Sequence, residues 1–371
     1  MTPYIPNTLP LEGLDFKQLF GLATKANAGL ARYDGLLQGI TNPAIMLSPL
    51  TTQEAVLSSK IEGTQATVDE VLEQEAGLIK KGEKYKDIQE ILNYRSALLQ
   101  ASEHIKTRPI NLALVREIHK ILLSSVRGQH KTPGEFRVDQ NWIGKEGCSI
   151  EEATFVPPEP IQMKNSLYDW QTYLGSDELD SLLQAAVMHA QFELIHPFKD
   201  GNGRIGRILI PLFLFQKQAL SQPMFYLSQY LEANRDGYYM RLRGISGEGD
   251  WNGWIAFFLQ AIIEQSKQNS ERVKSIMSLY ESMKEDVRRE THSQYSVYLL
   301  DAIFNKPVFK TSDCATELKK SHGIHEKTTQ GLLRQLRDAG ILLELQRGSG
   351  SRSSILWFPT LINLAEGKQV L

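Results

Sequence analysis

The chain has 371 residues, more than one hydrophobic core usually organises, so two or three domains are expected. With 42% hydrophobic and 23% charged residues and a net charge of −2, it reads as an ordinary globular protein; nothing in that balance marks a general nucleic-acid sponge or a membrane-surface binder. Only Cys148 and Cys314 occur, without CxxC spacing, which argues against a disulfide framework or a zinc site.

The opening "MTPYIPNTLP" has no basic flank followed by an apolar run, so no secretory signal is expected. The longest apolar stretch, Ile208 to Phe215, falls far short of the roughly 20 residues a membrane span requires. A cytoplasmic protein with no membrane partner is the expectation.

From about Asp15 to Leu123 apolar residues recur at helical spacing, as in Ile88, Ile91, Leu92 and Leu98, which predicts a helical bundle. Between Lys131 and Pro160 the texture changes. Gly134, Gly144, Gly147 and four prolines exclude a helix, and "FRVDQNWI" and "ATFVPP" read as a small β-hairpin or paired extended segments. Helix resumes over Ile161 to Tyr173. Leu179 to Ile195 forms a further helix, with Leu182, Leu183, Ala186, Val187, Ala190 and Leu194 on a 3.6-residue rhythm. The dipeptide His196-Pro197 ends it, because the residue before proline avoids the α region. Another helix starts near Arg204, with Pro211 expected to bend it. Helices then run from Trp251 to about Arg288, with a polar gap after Ile263 that reads as a break.

The stretch "HPFKDGNGRIGR", His196 to Arg207, carries chemistry. Gly201-Asn202-Gly203 places permissive backbone just before a helix, so successive N–H groups can turn inward around an anion, and the helix N-terminus adds its dipole. Arg204 and Arg207 are three apart and share a helix face. Asp200 can hold a magnesium ion, which favours a carboxylate together with phosphate oxygens. This describes a polyphosphate cradle that lacks the lysine and hydroxyl of GxxxxGK[ST]. A neutral imidazole at His196 can take a proton from an incoming hydroxyl. Glu193 and His196 also form an ExxH pair, as in helical di-iron sites, but the required second ExxH is missing from the sequence.

At every position this stretch resembles the Fic-family motif HxFx(D/E)GNGRxxR. The resemblance extends to "GEFR…ATFVPP" and "NRDGYYMRL" and covers roughly residues 45 to 260. It implies a mainly α protein, with a Fic-type helical bundle and a small β-hairpin flap at Arg137 to Pro158. It also implies a protein adenylyltransferase that moves AMP from ATP, with Mg²⁺, to a hydroxyl side chain of a target protein. Carried onto this sequence, it makes His196 the general base, Phe198 an anchor of the loop and Asp200 the magnesium ligand. Gly201, Asn202, Gly203, Arg204, Ile205, Gly206 and Arg207 would bind ATP, with Arg207 on the γ-phosphate. Asn234 and Tyr238, in "NRDGYYMRL", would line the adenine pocket.

"SSKIEGTQAT", Ser58 to Thr67, fits the inhibitory pattern (S/T)xxxE(G/N) of the class with an N-terminal inhibitory helix. By that resemblance Ser58, Glu62 and Gly63 form a brake near residues 52–65. Glu62 would hold Arg207 through a bidentate bond and so occupy the ATP site, and Gly63 would let the chain approach another surface closely.

From Ser296 the expected order is three helices and then two strands, "GILLEL" and "SSILWF", flanking the basic turn "QRGSGSR", which resembles a winged helix-turn-helix. Such a domain can dock on DNA or on a protein, including a second copy of the chain. The expected boundaries are 1–110 for an N-terminal helical region, 111–265 for the catalytic core, 266–293 for connecting helices and 294–371 for the winged domain. The alternative function is a DNA-binding transcription regulator with a nucleotide-sensing core.

Overall fold

The computed structural model describes residues 2–78, 82, 84–124, 131–145, 147–177, 180–350 and 352–367. The helices are α1 (Phe16–Gln38), α2 (Pro43–Met46), α3 (Ser48–Ile61), α4 (Val68–Glu75), α5 (Tyr85–His104), α6 (Leu112–Leu122), α7 (Pro160–Leu174), α8 (Ser181–Ile195), α9 (Asn202–Gln216), α10 (Ser228–Ala233), α11 (Arg235–Glu248), α12 (Trp251–Thr291) and α13 (Ser296–Asn305). Strand β1 (Val308–Lys310) follows, then α14 (Thr311–His322), α15 (Glu326–Asp338), β2 (Leu343–Gln346), β3 (Ile355–Trp357) and α16 (Pro359–Glu366). The chain divides into two units, one of residues 1–35, 57–64 and 89–268, the other of residues 36–56, 65–88 and 269–371.

The first unit is built around α8. Asp180 caps this helix, its carboxylate accepting from the amides of Leu182 and Leu183 at 3.0 and 3.3 Å. Leu179, where the sequence places the start, lies outside the described residues. The 3.6-residue rhythm marks the helix but not an exposed face, because Gln184, His189 and Gln191 are buried along with the apolar residues. A helix buried all round must satisfy its polar groups internally. Gln184 Nε2 accordingly donates to the carbonyls of Tyr173 and Ser176, at 2.8 and 2.9 Å. The indoles of Trp170 (α7) and Trp254 (α12) donate to the α8 carbonyls of Met188 and Ala186, at 2.9 and 2.8 Å. Helix α9, whose Ile205, Ile208, Leu209, Leu212 and Phe213 are fully buried, packs against α8 and continues through Pro211.

Between Arg137 and Pro158 no strand ladder forms among the described residues. The segments meet at a single antiparallel bridge, Ile143 with Phe155, and a 3-10 turn spans Ile150–Glu152. Of the two sequence readings, paired extended segments is the one observed. Prolines 157 and 158 remove the donors that a second rung would need. The expected break after Ile263 is absent, and α12 is continuous to Thr291. Gln265, Ser266 and Asn269 in that gap are buried rather than surface markers. Gln265 and Ser266 are 1% exposed, and Gln265 Oε1 accepts from the Tyr230 amide at 3.0 Å.

In the second unit, β1, β3 and β2 form an antiparallel sheet in that order, with Trp357 opposite both Val308 and Leu343. Helix α15 buries Thr329, Leu332, Leu333 and Leu336, and Gly340, at φ +75°, turns the chain out of it. The expected helices and strands of this region are present. Strand β1 and helix α16 were not anticipated, since three residues of strand and a short helix leave too little periodicity to read.

Trp254 is fully buried, with its indole bonded to α8. Trp254→Ala is expected to destabilise the first unit by about 3–5 kcal/mol, read as a lowered melting midpoint in near-UV circular dichroism.

Candidate active site

His196 closes α8 in the left-handed conformation, φ +48°. Proline at 197 denies it the ordinary helical region, and the turn is held from outside. Arg137, fully buried, donates from Nε to the His196 carbonyl at 2.9 Å and from its Nη atoms to the carbonyls of Asp139 and Pro158. The imidazole Nδ1 lies 3.2 Å from the Glu193 carbonyl. A carbonyl can only accept, so Nδ1 carries the proton and Nε2 is left as the basic nitrogen. Burial pushes the imidazole down to about 4, against the upward pull of that carbonyl, so the ring is neutral near pH 7.

The loop that follows is tied down at Phe198. This ring is fully buried and stacks on His119, with centroids 3.8 Å apart. Asn202 closes the loop on itself: Oδ1 accepts from the Phe198 amide and Nδ2 donates to the Phe198 carbonyl, both at 2.9 Å. Gly201 sits at φ +81° as N-cap of α9, and a Cβ there would lie 3.1 Å from Leu122. The result is an α9 N-terminus open to a cleft of about 570 Å³. His196, Lys199, Asp200, Gly201, Asn202, Gly203 and Arg207 line it from the motif. Glu62 enters from the end of α3, Ile143 and Phe155 from the extended segments, and Arg235, Tyr238, Tyr239 and Arg243 from α11.

Arg207 is almost wholly enclosed, and three bonds fix it. Nε donates to Ser58 Oγ at 2.8 Å, and Nη2 to the Ser58 carbonyl at 3.0 Å and to Glu62 Oε1 at 2.6 Å. The expected bidentate grip of Glu62 is thus replaced by a clamp shared between Glu62 and both oxygens of Ser58. Burial raises the Glu62 carboxyl, but the charge and hydrogen bond of Arg207 outweigh it and hold the group below the ordinary carboxylate range. Glu62 lies one residue beyond α3, in the turn where Gly63 adopts φ +104°. A Cβ built on Gly63 would meet no atom within 4 Å, so it is the left-handed turn, and not the close approach expected of it, that calls for glycine here. Gly203 is where close approach matters, since a Cβ there would sit 2.4 Å from Glu62 Oε1.

Four of the candidate ATP-binding residues do not line the cleft. Arg204 is turned behind the loop, donating to Glu90 at 3.3 Å and to Asp200 at 3.1 Å. Ile205 is fully buried, and Gly206 packs against Glu193 and His189. Asn234 caps α11 and donates to the Tyr230 carbonyl at 2.9 Å. Tyr238 does reach the cleft wall, buried, with its hydroxyl 3.0 Å from His189 Nε2.

The sequence reading missed His119, Glu193 and Tyr239 as parts of the site's environment. His119 is joined to the motif only by folding, and nothing local announces it. Glu193 was legible only as half of an ExxH pair. It stands at the cleft wall, and burial raises its carboxyl to about 8, partly opposed by Arg207 and reinforced by Glu62. Among the described residues no group of three His, Cys, Asp or Glu is arranged to hold a metal. Asp200, with one oxygen on Arg204 and its side chain 43% exposed, is a carboxylate that lines the cleft beside the motif's glycines.

A model of the Fic/DOC family N-terminal region matches residues 20–103, and one of the Fic/DOC family matches residues 109–214, which include the whole motif. The chain belongs to the Fic/DOC family. It is 28% identical over 196 residues to a probable protein adenylyltransferase of Aquifex aeolicus, a match covering 51% of this chain and 56% of that protein. It is 26% identical over 155 residues to protein adenylyltransferase fic-1 of Caenorhabditis briggsae, covering 38% of this chain and 27% of that one. The matched part thus spans about half or less of these relatives' lengths. A Fic family protein from Desulfovibrio desulfuricans G20 superimposes with a TM-score of 0.58 at 19% identity, over 96% of this chain and 98% of that one. Fic-1 residues 134–508 from Caenorhabditis elegans give 0.50 at 19% identity, over 70% and 73%. These two likenesses establish the Fic fold.

Glu193 makes stability depend on pH. Unfolded, its carboxyl ionises in the ordinary range; folded, it does so only near pH 8. Folding therefore loses stability as pH rises from the ordinary carboxylate range toward about 8. Glu193→Gln removes this loss. Its melting temperature, followed by scanning fluorimetry, is expected to fall less than that of wild type between about pH 5 and about pH 8; an equally steep fall would refute the assignment.

Proposed function

We propose that the chain is a self-inhibited protein adenylyltransferase, moving AMP from ATP to a Ser, Thr or Tyr hydroxyl of a protein and releasing pyrophosphate. The observation that carries this reading is the convergence of a neutral, tautomer-fixed His196 and a clamped Arg207 on one cleft at the α9 N-terminus. His196 Nε2 accepts the target hydroxyl's proton as the oxygen attacks the α-phosphorus; the α–β phosphoanhydride bond breaks and pyrophosphate leaves. The unpaired amides at the start of α9 and the Arg207 guanidinium stabilise the phosphate charge. Asp200 fits a Mg²⁺ ion that takes its other ligands from phosphates and water, and such an ion would neutralise charge on the leaving pyrophosphate. Tyr238 and Tyr239 supply apolar area for a base, while Arg204 would first have to leave Glu90 to reach a phosphate.

Self-inhibition is supported by the same contacts. An arginine already held by Ser58 and Glu62 is not free for a γ-phosphate, and the Glu62 carboxylate, one-third exposed, brings negative charge to the place a phosphate would take. Glu62→Gly is expected to raise transfer of label from α-³²P-ATP to protein by at least about tenfold, and His196→Ala in that background to lower it by about 10²–10⁴. A Glu62→Gly protein no more active than wild type sinks the brake, and an active His196→Ala protein sinks the base.

For the second unit we favour a winged-helix reading with a polyanion partner. A groove of about 430 Å³ is lined by Thr311, Gln330, Arg334, Arg337, Gly348 and Arg352 among others, and of these Arg337 has its charge shared with Asp338. DNA is the partner that three arginines beside a recognition-type helix suit. Fluorescence anisotropy with a short duplex is expected to show binding that weakens steeply with salt and is reduced by Arg334→Ala. Binding absent at low salt would leave protein docking as the use of this unit.

A further inference from the structure

Outside the motif, one segment reaches the cleft wall without contributing to it. Residues 4 to 7 meet the extended segment that carries Thr154 and Phe155 through Tyr4. The Tyr4 amide donates to the Val156 carbonyl at 2.9 Å, and the Tyr4 ring lies 5.7 Å from that of Phe155. Pro6 is buried. Asn7 anchors the run at three points. Its Oδ1 accepts from Trp251 Nε1 and from the Tyr4 hydroxyl, both at 3.1 Å, and its carbonyl accepts from Gln191 Nε2 at 2.7 Å.

The partners define what the run connects. Gln191 is a buried residue of α8, five positions before His196. Trp251 is the first residue of α12. Val156 follows the Phe155 that bridges Ile143, and Ile143, Thr154 and Phe155 all line the cleft. The extended segment has one antiparallel bridge of its own, and Gln140 and Arg137 hold the Pro157 and Pro158 carbonyls that follow it; the Val156 carbonyl between them is held by the Tyr4 amide.

We propose that residues Tyr4 to Asn7 act as a strap that positions the Ile143–Phe155 wall against the helix bearing His196, with Tyr4 and Asn7 as the positioning residues. The strap occupies the Val156 carbonyl. A target chain pairing with this wall would therefore meet it with that acceptor already used, and would have to dock from the Ile143 side, where Val138, Trp142 and Ile143 stand 69%, 42% and 40% exposed. That consequence for the target rests on the adenylyltransferase reading; the strap's hold on the wall does not.

Hydrogen–deuterium exchange on the full chain tests the hold directly. Asn7→Ala removes the acceptor for Trp251 and Tyr4 and is expected to speed exchange of the Ile143, Thr154 and Phe155 amides by about tenfold, leaving the α9 amides unchanged. Asn7→Asp keeps that acceptor and is expected to restore slow exchange. Tyr4→Ala should match Asn7→Ala, whereas Tyr4→Phe, which keeps ring and backbone, should lie near wild type. Unchanged exchange at the wall overturns the strap. So does equal acceleration throughout α8 and α9 with a lowered melting temperature, since that signals general loss of structure. In the Glu62→Gly background, Asn7→Ala is further expected to leave the KM for ATP within about twofold while lowering self-labelling. Absence of label in both backgrounds would count against the transferase reading, and the exchange result would still decide the strap.

Discussion

A guanidinium withdrawn from water must find acceptors, and Arg207 is 1% exposed. Everything at this site follows from where those acceptors come from. In the observed state Ser58 and Glu62 supply them from α3 and the turn beyond it. In the proposed reaction a nucleotide phosphate takes the place of Glu62. The two occupants are alternatives because each offers negative charge to one enclosed cation. Gly203 leaves room for this pair, since a Cβ there would crowd Glu62 Oε1 and Arg207 Nη1.

The groups around this pair separate by environment. His196 and Glu193 are three residues apart, yet burial drives both toward their neutral forms, one down to about 4 and the other up to about 8. Glu62 stays anionic, because it has the charge of Arg207 against it. A neutral imidazole with its Nδ1 proton committed to a carbonyl is a base ready at ordinary pH. A neutral Glu193 leaves Glu62 unopposed in claiming the arginine.

Much of this was legible before any coordinates. The glycine-asparagine-glycine turn and the histidine before proline each imply local geometry that the structure bears out. The helices of the central region were readable because long apolar periods survive burial. Polar residues misled where burial inverted their meaning. Gln265 and Ser266 read as a break in α12 but are interior, and Gly63 read as a point of contact but serves a turn. The spacing of Arg204 and Arg207 put both on one face, yet Arg204 turned to Glu90, a residue more than a hundred positions away.

By itself the sequence determined the local chemistry: which backbone can turn at Gly201, which residues share a helix face, and that a histidine ends the helix before the loop. Those are short-range consequences of dihedral freedom and side-chain spacing. Only the tertiary structure decided who faces whom: that Ser58 shares the arginine with Glu62, that His119 stacks on Phe198, and that Tyr4 meets Val156 while Asn7 meets the histidine's helix. Such pairings depend on burial, and burial is settled by packing between residues far apart in the chain.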